Sequence, residues 1–119
     1  MEKLQLYHLI LTTVKNNHSI TLNQLSWLIN SSLGIPVEEV KDAAEDLMYK
    51  NTEVPRCLNY FKISKDKTSK NREIAHLRLS YKSHEVLEFL FKHQEEVKYE
   101  IPELTFRKEQ KNASLLKKA

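Results

Sequence analysis

The chain reads as mainly α with a β-hairpin, in the order of a winged helix-turn-helix: three helices, a two-stranded wing and an extra C-terminal helix. Three observations predict it. Apolar residues recur at spacings of three and four through residues 2–50, and again over 84–99. Between these stretches, two β-prone segments, 57–63 and 73–81, flank residues 64–72, which include no apolar side chain. Thr21 and Gly34 mark the start and end of a helix that leads through a tight turn into the next.

The first helix spans about 2–17, with Leu4, Tyr7, Leu11 and Val14 as its inward stripe, widened by Leu6 and Ile10. Asn16-Asn17-His18-Ser19 breaks it, and Ile20 stands alone as a candidate short β bridge. Thr21-x-x-Gln24 is a capping box. The Thr hydroxyl accepts from the N–H of residue 24 while the Gln side chain reaches back. The second helix, 22–31, then buries Leu22, Leu25, Leu28 and Ile29, with Trp27 partly buried. Gly34 suits left-handed backbone in the turn Ser31-Ser32-Leu33-Gly34. Pro36 falls in the first turn of a third helix, 36–50, where its missing N–H has no partner to lose. Val37, Val40, Ala44, Leu47 and Met48 face in, and Val54-Pro55 stops the helix. After the hairpin, Ser83 caps a fourth helix, 84–99, built on Val86, Leu87, Leu90, Phe91 and Val97 and ended by Pro102. The expected organisation is a winged helix-turn-helix domain over 1–82, a C-terminal helix over 83–102 and a basic tail over 103–119.

Composition narrows the function classes. The 119 residues, 40% hydrophobic and 29% charged, suit one domain with a core of its own. A single glycine leaves no room for a glycine-rich phosphate loop or a nucleophile elbow. A single cysteine, Cys57, supports neither a disulfide framework nor a cysteine-based zinc site, and fits a reducing, cytoplasmic setting. The N-terminus lacks a signal-peptide pattern, and the aliphatic runs are too short to span a membrane.

The formal net charge of +3 conceals a division along the chain. Residues 1–61 carry a net −2, residues 62–82 a net +5, and residues 83–119 a net 0. The basic feature is therefore the wing. Lys65, Lys67, Lys70 and Arg72 lie beside Thr68, Ser69 and Asn71, combining the long cationic arms and short donors that phosphate contacts use. Solvated hairpin tips are also commonly charged, but here the only acid is Asp66. The third helix opposes this reading. It sets Glu38, Glu39, Asp42, Glu45 and Asp46 against Lys41 and Lys50, an acidic balance that phosphates repel. If it enters a major groove, Ser31, Ser32, Lys41 and Asn51 carry the favourable contacts; otherwise wing and tail touch DNA and this helix faces protein.

Other constellations are weaker. The five histidines, at 8, 18, 76, 84 and 93, lack metal-ligand spacing, so no metal or other cofactor is expected. Cys57 reads as a small buried side chain, with a reactive thiol lowered by Arg56 as the alternative. The adjacent carboxylates Glu38-Glu39 and Glu95-Glu96 diverge on a helix, and no nucleophile stands by a base, which argues against an enzyme. Tyr60 and Phe61 could form a stacking platform, although strand neighbours face opposite sides. Val86, Phe89, Leu90 and Phe91 make the fourth helix apolar around much of its girth, as a homodimer interface would be. The alternative is burial under the tail through Leu104 and Phe106.

Three segments carry a family likeness: Leu4-Gln5-Leu6-Tyr7-His8-Leu9-Ile10, Asn51-Thr52-Glu53-Val54 ahead of a strand, and Pro102-Glu103-Leu104-Thr105-Phe106-Arg107-Lys108-Glu109-Gln110. With them the chain resembles the small enterobacterial winged-helix activators of the CaiF/GrlA type. The resemblance implies promoter binding and transcription activation, with a small inhibitory protein partner. The expectation is thus a regulator that binds duplex DNA and works with RNA polymerase or a regulatory protein. The alternatives are a winged-helix adaptor that docks a basic partner on its acidic helix, and a single-strand or RNA binder using Tyr60 and the tail.

Overall fold

The computed structural model describes residues 1–17, 19–49, 54–64 and 73–105. In these, four helices and a two-stranded antiparallel hairpin follow in the order α1 (Lys3–Asn16), α2 (Leu22–Leu33), α3 (Val37–Met48), β1 (Leu58–Ser64), β2 (Glu73–Leu79) and α4 (Ser83–Val97).

The centre of the fold is α1. Leu6, Tyr7, His8, Leu9, Ile10 and Leu11 are buried without a gap, so this helix is covered on all sides rather than along one stripe. The other three helices and β2 all pack on it. Such burial obliges its polar side chains to find partners. The Tyr7 hydroxyl donates to Asp46 Oδ2 of α3 at 2.8 Å, and His8 Nδ1 lies 3.1 Å from the Tyr99 hydroxyl.

The α2–α3 unit follows from its termini. Thr21 Oγ1 accepts from the Gln24 N–H at 3.1 Å and Gln24 Oε1 accepts from the Thr21 N–H at 3.0 Å, which closes the capping box. Gly34 ends the helix in left-handed backbone at φ 74°, two residues later than expected for a helix reaching Ser31. Leu25, Leu28 and Ile29 are buried, but Trp27 is 60% exposed, against the expectation of partial burial. Two residues along a helix rotate a side chain by about 200°, which carries Trp27 to the side opposite Leu25. Pro36 sits at the N-cap, just outside α3 rather than in its first turn. Val40, Ala43, Ala44, Leu47 and Met48 are buried, while Val37 is only half-buried.

The hairpin pairs Leu58 with Leu79 at its base and Ser64 with Glu73 at its far end. Cys57 and Ser80 fall just outside the ladder and bond elsewhere: the Cys57 N–H donates to the Leu47 carbonyl at 3.0 Å, and its carbonyl accepts from the Ser80 N–H at 2.9 Å. On the open edge of β2, the Leu77 N–H donates to the Ile20 carbonyl at 2.8 Å. The isolated apolar residue between α1 and α2 thus ties that connection to the hairpin.

Ser83 does not cap α4. It is buried at the first helical position, Lys82 holds the N-cap, and no side chain satisfies that end. The helix also ends before Pro102 can act. Lys98 turns left-handed at φ 60°, and Gln94 Nε2 donates to the Tyr99 carbonyl at 2.8 Å, folding the chain back toward α1. Farther on, Leu104 joins the core, and Asn17 Nδ2 donates to both the Thr13 and Leu104 carbonyls, at 2.7 and 2.9 Å. The interface expected on α4 needs correction. Val86 and Leu90, 2% and 0% exposed, are spent in the chain's own core, because α4 turns this face to α1. Only Phe89 and Phe91 remain half-exposed, and the Phe91 ring meets His8 edge-on at 4.8 Å.

This division of α4 predicts unequal costs of truncation. Leu90→Ala should destabilise the fold by about 2–5 kcal/mol, and Phe89→Ala by less than about 1 kcal/mol, in urea unfolding. Equal costs would contradict the assignment of the two faces.

Candidate nucleic-acid interface

The hairpin ladder stays in register from the Leu58–Leu79 pair to the Ser64–Glu73 pair. Lys65, Lys67, Thr68, Ser69, Lys70, Asn71 and Arg72 lie outside the described residues. Ser31 and Ser32, expected in a turn, lie in the last turn of α2 and are exposed, with Ser31 Oγ donating to the Leu28 carbonyl at 3.2 Å; Lys41 on α3 is half-buried.

The α3 acids divide into two groups. Asp46 is half-buried and accepts from Tyr7, so its carboxylate contributes to packing. Glu38, Glu39, Asp42 and Glu45 are exposed. Their spacing puts them on one face, where four carboxylates would meet any approaching phosphate.

A concave site at the base of the hairpin escaped sequence reasoning. Arg56, Asn59, Tyr60, Arg78, Ser80 and Tyr81 line a recess of about 630 Å³. Arg56 Nη2 donates to Asn59 Oδ1 at 3.3 Å, and Asn59 stands directly opposite Arg78 in the ladder. The alternation of β2 signalled that Arg78 leaves the core side, but only the strand register brings it beside Asn59. Tyr60 is half-exposed, and its hydroxyl pKa is raised by burial, then by Tyr49 and Glu45 of the α3 end. It therefore lies between the recess and α3. The Phe61 ring lies outside the described residues.

Two histidines meet away from this surface. His8 is fully buried and faces His93 and Tyr99; His93 Nε2 lies 3.5 Å from Glu2 Oε1. Burial, and then the charge of His93, lowers the His8 pKa from its ordinary 6.5. Among the described residues, no three His, Cys, Asp or Glu side chains converge to hold a metal ion. His84 instead lies 3.2 Å from Glu88 on the surface of α4. Cys57 is buried, and burial pushes its thiol up to about 12, the reverse of activation by Arg56.

No protein-family model, curated protein or solved structure matches the chain. Among the described residues, no helix is long and apolar enough to cross a membrane.

Two measurements check these environments. Cys57 should resist thiol-specific alkylation at pH 8 in the native protein and react on unfolding; rapid native labelling would refute its burial. The unfolded chain takes a proton on His8 before the folded chain does. Stability is therefore expected to decline as pH falls through 6.5, and the decline to flatten in His8→Asn. Unfolding midpoints with the same pH slope in both proteins would exclude His8 as the cause.

Proposed function

We propose that the chain is a winged-helix protein that binds duplex DNA through its hairpin and regulates transcription. The observation that carries this reading is the attachment of the basic hairpin to the helical unit. The Leu77–Ile20 hydrogen bond ties the connection between α1 and α2 to β2, while Cys57 ties the start of β1 to α3. A hairpin held in this way behind a capped helix–turn–helix supports the winged-helix reading. Residues 62–82, with their net +5, supply the counter-charge for a phosphate backbone. Contact through Lys65, Lys67, Lys70 and Arg72 fixes the position of the protein on the duplex, with Ser31 and Ser32 as short donors at the end of α2. Activation at a promoter is the regulatory sense implied by the CaiF/GrlA resemblance.

A second reading rests on the exposed carboxylates of α3. In it the winged helix is an adaptor, and Glu38, Glu39, Asp42 and Glu45 dock a basic protein surface. Both readings keep α3 out of direct contact with phosphate.

Fluorescence anisotropy on a labelled mixed-sequence duplex separates them. DNA binding should weaken steeply with salt, and replacing Lys67, Lys70 and Arg72 together by Ala should reduce the log–log salt slope by about 3. Absence of binding at low salt would reject the DNA reading and favour the adaptor.

A further inference from the structure

We infer that the recess at the base of the hairpin binds one nucleotide unit, a phosphate held by Arg56 and Arg78 with a planar base against Tyr81. The site lies at the Leu58–Leu79 end of the ladder, about 20 Å along the strands from the Ser64–Glu73 pair.

The floor of the recess is rigid where it needs to be. Arg56 precedes Cys57, whose N–H and carbonyl are both committed, and the Arg56 carbonyl accepts from Ser80 Oγ at 3.4 Å. Asn59 then steadies the Arg56 guanidinium from one side and faces Arg78 across the ladder. Both arginines thus line one recess, and no acidic residue is found among the described residues lining it. A ligand with two or more acceptor oxygens matches the planar, five-donor fork that each arginine presents.

The aromatic component is separate. Tyr81 is 86% exposed, two residues after the strand that carries Arg78. Lys82 Nζ lies 5.5 Å from its ring centroid and also 3.8 Å from Glu85 Oε2. A tyrosine ring left in water beside cations is the pairing that holds a base next to its phosphate. The recess volume of about 630 Å³ falls within the range of small-molecule sites, and its largely polar lining excludes a purely apolar ligand.

Isothermal titration calorimetry on the full chain tests the site with adenosine monophosphate and, separately, inorganic phosphate. Arg56→Gln and Arg78→Gln should each weaken adenosine monophosphate by about tenfold or more. Arg56→Lys, which keeps the charge but loses the fork, should fall between. Tyr81→Ala should weaken the nucleotide several-fold and leave inorganic phosphate unchanged. No heat with adenosine monophosphate, or equal affinity in the wild type and both Gln variants, would overturn the assignment. All three side chains are exposed, and circular dichroism of each variant verifies that the fold persists. The labelled duplex then identifies the source of the nucleotide. Duplex affinity that falls in Arg56→Gln and is competed by adenosine monophosphate assigns the recess to a nucleic-acid strand. Duplex affinity indifferent to both, with adenosine monophosphate binding still lost in the Gln variants, assigns it to a free nucleotide. Nucleotide binding without any duplex binding would retain the recess and remove the DNA reading.

Discussion

The burial of α1 on every side is the constraint from which the rest of the architecture follows. A helix with one apolar stripe can rest on a single neighbour. Here residues 6–11 are inaccessible throughout, so α2, α3, α4 and β2 are all required to cover them. The cost is that Tyr7 and His8 are taken from water with their polar atoms. Asp46 and Tyr99 offset that cost, and in doing so they fix where α3 and the segment after α4 must lie. An acid on α3 that looks like part of a charged face is thereby withdrawn from it.

Local chemistry was legible along the chain, and long-range chemistry was not. The Thr21 capping box and the left-handed Gly34 are decided within a few residues, and both formed as their side chains dictate. The hairpin and its order after three helices also follow from local composition. The end of α4 did not. Pro102 is the conspicuous breaker, but a left-handed Lys98 and the Gln94–Tyr99 bond stop the helix earlier, and their role depends on Tyr99 meeting His8 across the fold. The two faces of α4 were likewise indistinguishable by hydrophobicity, because Leu90 and Phe89 differ only in which of them meets α1. For the same reason the meeting of Arg56 with Arg78 leaves no mark in the sequence. They are far apart in sequence, and only the pairing of Asn59 with Arg78 places them together.

Charge is sorted by element rather than spread over the surface. Of the two elements, α3 carries four exposed carboxylates, Glu38, Glu39, Asp42 and Glu45, whereas residues 62–82 carry a net +5. Cys57 connects these oppositely charged parts through one hydrogen bond to Leu47 and another from Ser80. A polyanion and a basic surface could therefore be attracted to different sides of the same small fold, each repelled by the other's side.

The Asn17 side chain, bonded to carbonyls at both residue 13 and residue 104, carries a consequence for how the molecule is made. During synthesis α1 emerges first, yet two of its closing contacts, His8 with Tyr99 and Asn17 with Leu104, span 91 and 87 residues. Loops of that length must close before the interior is complete, and the search is slow compared with forming a helix. Until residues 99–104 have left the ribosome, the central helix of the fold is only partly covered. A nascent chain paused short of that point would present this surface to chaperones, so the segment 99–104 governs when α1 is safe from aggregation.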